Sequence, residues 1–267
     1  MNDTLFAILV TTLTGLTMGL GAMIIFFVKK ENNKFITYTM GLSAGAMLMI
    51  SFMGVIPSVL DSFTEICGDE HLAMTRTLVL FVLGLLLMIG VDRLLPAHAH
   101  HHPNSVASIP ESEGDKSKGL YRAGMGIAVA IAIHNIPEGI ATFTTLMTNR
   151  SLGVMVAIAI VLHNLPIGVA IAMPIYLAKN NKLKAVGIAL LSGLVSPVAA
   201  MMAYLFMMPF FSPMVISSLL AIVAGVMVYI CIDELMPAAR AHGNYHLATF
   251  GIISGIMLIS LVFIILG

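Results

Sequence analysis

The sequence has no tryptophan, two cysteines in 267 residues, and only 10% charged side chains. A soluble domain carries about 25% charged residues, and 59% hydrophobic content with a mean hydropathy of +1.01 is too apolar for a water-facing globule. Thirteen basic residues balance thirteen acidic ones, which excludes the cationic excess of a nucleic-acid-binding protein. Cys67 and Cys231 are too few and too far apart for a disulfide framework or a zinc knuckle. No G-x-x-x-x-G-K-[ST] loop is present, so the chain has no Walker-type site for nucleotide. The H-E-x-x-H pattern of a zinc protease is also missing, which argues against an intramembrane metalloenzyme, and the chain is not expected to be an enzyme. No cation precedes Lys29, so the N-terminal apolar run does not read as a signal peptide.

What is abundant is long apolar runs. About 20 residues cross a bilayer core of roughly 30 Å, and eight such runs are expected, at about 5–28, 36–60, 77–95, 121–147, 151–178, 183–207, 214–238 and 247–266. The expected fold is all-α: a polytopic, multi-pass cell-membrane protein with eight transmembrane helices. Loop charge sets its orientation. If the N-terminus lies outside, the cytoplasmic side holds Lys29, Lys30, Lys34, Arg93, Lys116, Lys118, Arg122, Lys179, Lys182, Lys184 and Arg240, eleven of the thirteen cations. Only Arg76 and Arg150 remain outside, with the acidic run Asp61, Glu65, Asp69 and Glu70. Both termini are therefore expected to be extracytoplasmic.

The stretch 96–120 is rich in Pro, Ser and mixed charge and reads as a flexible cytoplasmic loop within a single transmembrane domain. It holds His98, His100, His101 and His102, which read either as transient metal capture or as solvated histidines. G-x-x-x-G pairs at Gly15/Gly19, Gly41/Gly45 and Gly251/Gly255 predict close helix packing, within the chain or across a homodimer. Asp92, Asp233 and Glu234 lie near the cytoplasmic ends of spans three and seven. They read as an exit path for cations or as interfacial charges pairing with Arg93 and Arg240.

Spans four and five contain polar residues at a depth where ionisable groups cost about 2.5–3.5 kcal/mol each and are usually functional. Span four reads His134-Asn135-Ile136-Pro137-Glu138-Gly139, and span five reads His163-Asn164-Leu165-Pro166-Ile167-Gly168, a near-repeat offset by 29 residues. His134 and Glu138, four apart, share one helix face. Pro137 removes a backbone donor and frees a carbonyl in the preceding turn. Imidazole nitrogen, carboxylate oxygen and amide oxygen are a donor set for a divalent cation. Hydrogen bonding between two kinked helices is the bland alternative.

On these motifs the chain resembles the ZIP (Zrt-, Irt-like protein) divalent-metal transporters, most closely their bacterial zinc-uptake branch. The resemblance extends to G-L-S-A-G-A-M-L-M-I-S at 41–51, D-R-L-L-P at 92–96 and D-E-L-M-P at 233–237. It implies an eight-helix bundle holding transported metal between spans four and five. His134, Asn135 and Glu138 match the span-four ligands, and His163 and Asn164 match those of span five. It implies no cofactor; the divalent metal, zinc foremost, with iron, manganese, cobalt and cadmium as alternatives, is the cargo, moved toward the cytoplasm.

The chain departs from the family pattern where many relatives carry further glutamates: at Ile167, at Ser196 before Pro197, and in span two at Gly54. One carboxylate leaves a dication under-compensated in a low dielectric. The expectation is therefore one bound metal rather than two, its shell completed by water or by the Ser192 and Ser196 hydroxyls. The same losses motivate an alternative reading, a metal sensor or scaffold that kept the fold and lost transport.

Overall fold

A computed structural model of the chain describes residues 3–27, 33–94, 113–207, 212–240 and 244–266. Among them there is no β-strand, and eight helices are long and apolar enough to cross a membrane. They are α1 (Asp3–Phe26), α2 (Thr37–Cys67), α3 (Glu70–Val91), α4 (Ser117–Thr148), α5 (Arg150–Lys179), α6 (Lys182–Phe206), α7 (Pro213–Leu235) and α8 (Tyr245–Ile265). Each expected span overlaps one of them. The protein is a multi-pass membrane protein.

The boundaries differ most at α2 and α3, which extend into sequence expected to form an exterior loop. Asp61, Glu65 and Glu70 lower the local hydropathy, yet they sit on exposed helix faces where charge does not interrupt backbone pairing. The reversal is confined to Gly68, at φ +67°, a left-handed conformation open to glycine. Its N–H donates to the Thr64 carbonyl at 2.8 Å, and Asp69 Oδ1 caps α3 by accepting from Leu72 N at 3.0 Å.

α4 and α5 form a tight antiparallel hairpin. Only Asn149 separates them, and it caps α5 by accepting from Leu152 N at 3.0 Å. Asn180 and Asn181 make the next reversal, Asn180 in the left-handed region and Asn181 accepting from Lys184 N at 2.9 Å.

The glycine pairs pack helices within the chain. A Cβ at Gly41 or Gly45 would strike the Ala248 or Ile252 carbonyl oxygen of α8, and one at Gly251 or Gly255 would strike the Tyr38 or Leu42 carbonyl oxygen of α2. Gly15 of α1 and Gly193 of α6 press against each other's carbonyls, while Gly19 faces Leu190. Each G-x-x-x-G face is thus occupied by a neighbouring helix of the same chain, and the backbones approach as small residues permit.

Two helices widen before a proline. In α2 the Ile56 N–H reaches back five residues to the Ser51 carbonyl, and in α7 the Met236 N–H reaches Cys231 in the same way. Pro57 and Pro237 follow directly. A proline ring collides with the carbonyl four residues back and supplies no donor, and an extra residue in the preceding turn relieves both problems.

Candidate metal centre

His134 lies 15 residues before Asn149 and His163 lies 14 after it. A hairpin that reverses at Asn149 therefore brings the two motif copies to the same height, midway along both helices. His163 Nε2 is 3.0 Å from Glu138 Oε2, His134 Nε2 is 3.5 Å from the same oxygen, and the imidazole centroids are 6.2 Å apart. All three side chains are buried, at 2%, 4% and 0% exposure for His134, Glu138 and His163. They form the one group of three or more His, Cys, Asp or Glu side chains, among the described residues, with ligand atoms close enough to share an ion, all within 4.8 Å of one another. Tetrahedral zinc with bonds of about 2 Å holds its ligand atoms about 3.3 Å apart, so small side-chain adjustments close this set on one ion.

The unused donors and acceptors fall largely on the same motifs. Six buried side-chain polar atoms among the described residues have no hydrogen-bond partner. Five belong to expected site residues: His134 Nδ1, Asn135 Oδ1, Glu138 Oε1, Asn164 Oδ1 and Ser196 Oγ. Buried polar atoms are normally satisfied, so such a concentration marks a place where another polar species belongs. His163 Nδ1 faces the Ala159 carbonyl at 3.3 Å. With its proton on that nitrogen, the ring offers the Nε2 lone pair to the cluster, the tautomer a metal requires.

The asparagines have a second role. Asn135 Nδ2 donates to the Ser192 carbonyl of α6 at 2.8 Å, and Asn164 Nδ2 donates to the Thr14 carbonyl of α1 at 2.9 Å. The glycines ending each motif repeat the pairing one turn further on. A Cβ at Gly139 would strike the Ser196 carbonyl oxygen, and one at Gly168 would strike that of Met18. Each copy of the motif thus docks on its own flanking helix through an asparagine and a glycine four apart, against carbonyls four apart. The amide nitrogens serve this docking, and the amide oxygens stay available.

Ser192 Oγ donates to the Ala128 carbonyl at 2.9 Å, so its proton is committed, whereas the Ser196 hydroxyl is buried without a partner. Ile167 is 3% exposed and lies, with Ile131, Met40 and Glu234, around a cavity of about 20 Å³, room for about one water. Glu234 is half-buried and Asp233 exposed on α7. Gly54 faces the side chains of Phe263, Leu152 and Ile50, an apolar surround. The Asp92 side chain and His98, His100, His101 and His102 lie outside the described residues. Reasoning from sequence did not find Thr14 as a partner of the motif. The signal was present: Leu13-Thr14-Gly15-Leu16 and Leu191-Ser192-Gly193-Leu194 are near-copies on the two flanking helices.

Comparison with known proteins identifies the family. The family model described as ZIP Zinc transporter matches residues 3–263. A protein named Zinc transporter ZupT from Chlorobium phaeovibrioides is 41% identical over 267 residues, covering 100% of each chain. Proteins of the same name from Oceanobacillus iheyensis and Streptococcus mutans are 38% identical over 271 residues, covering 100% of each chain, and 39% identical over 261 residues, covering 97% of each.

Proposed function

Because this chain belongs to the ZIP zinc transporter family, we propose that it moves divalent metal cations, zinc foremost, across the membrane toward the cytoplasm. The proposed binding site lies between α4 and α5 and consists of His134, Glu138 and His163. The observation that carries this is the convergence of two imidazoles and one carboxylate at mid-helix depth, beside a concentration of unpartnered polar atoms. Two nitrogen ligands and one oxygen suit zinc, and iron, manganese, cobalt and cadmium share that preference. The Ser196 hydroxyl, the Asn135 and Asn164 amide oxygens and water are the candidates to complete the shell.

One ion is the proposed stoichiometry. Glu138 is the cluster's only carboxylate, and Ile167, one turn after His163 on α5, is apolar and buried. The cavity between Ile167 and Glu234 suggests the next step of the path, toward the end of α7, with Glu234 better placed than the exposed Asp233. Weak binding is compatible with passage, since an ion must leave as readily as it enters. No nucleotide is invoked; rocking of the proline-kinked helices would alternate access to the site.

The test is metal flux into proteoliposomes loaded with a zinc-sensitive dye, wild type beside Glu138→Ala. Saturable uptake in the wild type and its loss in the variant are the expected results. Removing the one carboxylate that faces the ion, a change on the order of 3 kcal/mol, weakens binding about 100-fold. Equal flux in both would place the path elsewhere. Binding without flux in wild type, with flux appearing in Ile167→Glu, would favour the sensor reading, for which the buried apolar Ile167 is the motivating observation.

A further inference from the structure

A second site lies where α2 turns into α3, away from the His–Glu cluster. A cavity of about 350 Å³ opens between α2, α3 and α7, walled by Phe63, Val79, Leu80 and Met214 and reached by Arg76. Its two hydroxyl residues are occupied: Thr75 donates to the His71 carbonyl at 2.8 Å, and Ser218 donates to that of Met214 at 2.7 Å. Arg76 is different. It is half-buried, and its Nη1 donates to Cys67 Sγ at 3.1 Å and to Met214 Sδ at 3.6 Å. A guanidinium carries five N–H donors and sulfur is a weak acceptor. Among the described residues no carboxylate pairs with this cation. A partly desolvated charge with such poor acceptors calls for an anion.

Position narrows the anion. Arg76 stands six residues from the start of α3 at Glu70, about 9 Å along a helix rising 1.5 Å per residue. Val79 and Leu80 follow one turn deeper, and Val79 is 61% exposed on the outside of the bundle. From the helix end inward, the groove therefore offers a cation and then an apolar wall. A phospholipid presents its groups in the same order: phosphate at the interface, acyl chain toward the midplane.

We infer that this groove binds one phospholipid, with its phosphate held by Arg76 and its acyl chain laid along Val79 and Leu80. The planar guanidinium donates in parallel to two phosphate oxygens, a stronger arrangement than its present bonds to sulfur.

Native mass spectrometry of the full chain, titrated with phosphatidylglycerol, tests the proposal, with thermal unfolding to check that each variant is folded. The wild type should retain one lipid. Arg76→Gln should weaken retention about tenfold, as expected for loss of one charged hydrogen-bonding partner. Val79→Phe, which fills the groove and keeps the charge, should weaken it comparably, and Arg76→Lys should fall between. Maleimide labelling gives a second reading, because Cys67 is half-buried and Cys231 is fully buried. Added lipid should slow labelling of Cys67 in wild type and leave it unchanged in Val79→Phe. Loss in Val79→Phe alone would mean an alkyl chain without headgroup recognition, and loss in Arg76→Gln alone would mean surface attraction without a groove. Either result, or equal retention in all variants, overturns the proposal.

Discussion

At the residue scale, the cluster rests on one oxygen. Glu138 Oε2 is shared by both imidazoles, at 3.0 and 3.5 Å. An imidazole binds metal only in its neutral form, so protons and metal compete for the same lone pairs. Zinc binding is expected to weaken as the medium is acidified, by up to about two log units per pH unit when both rings must release a proton. Isothermal titration across a pH series measures that slope, and a flat profile would remove the histidines from the shell. Asn135 separates its two roles within one side chain, since its nitrogen holds the Ser192 carbonyl and its oxygen has no partner. Asn135→Asp keeps an oxygen and removes the donor. It should lower the metal-free melting temperature, because a buried hydrogen bond to the Ser192 carbonyl is lost and a carboxyl oxygen faces it instead, at about 1–3 kcal/mol. It should also tighten zinc binding through the added charge. Loss of both stability and binding would mean that the docking role alone accounts for the residue.

At the element scale, α4 and α5 are positioned by backbone contact. Gly139 and Gly168 each abut a carbonyl oxygen of a flanking helix, and a carbonyl cannot swing aside as a long side chain can. Gly139→Ala and Gly168→Ala are each expected to destabilise the bundle by about 1–3 kcal/mol through overpacking. A thermal-shift assay shows this as a lower melting temperature, with Gly187→Ala, which meets open space, as the unaffected control. Much of this arrangement was legible in the sequence. Eight apolar runs gave the helix count, and the 29-residue repeat showed that spans four and five carry matched polar groups. The helix limits at Cys67 and Glu70 were not legible, because charge on an exposed face lowers hydropathy without ending a helix. Nor were the partners of the asparagines. Hydrogen bonds to backbone carbonyls leave no pattern of residue types, and the Leu-Thr-Gly-Leu and Leu-Ser-Gly-Leu copies become meaningful only once α1 and α6 are seen to cross there.

At the scale of the whole molecule, the eleven-to-two division of loop cations predicts that both ends lie outside the cytoplasm. A C-terminal alkaline phosphatase fusion should be active, and a C-terminal fluorescent fusion that matures only in the cytoplasm should stay dark. The reverse pattern would invert the assignment. Orientation matters because of how few carboxylates the metal cluster holds. With Glu138 ionised and both imidazoles neutral, the empty cluster carries one negative charge, and a bound dication turns it into one positive charge. Across an inside-negative membrane the loaded cluster is drawn inward and the empty one outward, at about 2.3 kcal/mol per elementary charge per 100 mV for full displacement through the field. Zinc uptake should therefore accelerate under a potassium–valinomycin diffusion potential negative inside and slow when the potential is reversed. A second carboxylate, as in Ile167→Glu, would leave the loaded cluster neutral and the emptied one doubly negative, moving all of the voltage dependence to the return of the unloaded protein. The electrical signature of transport would then report, without any structural measurement, how many carboxylates accompany the ion.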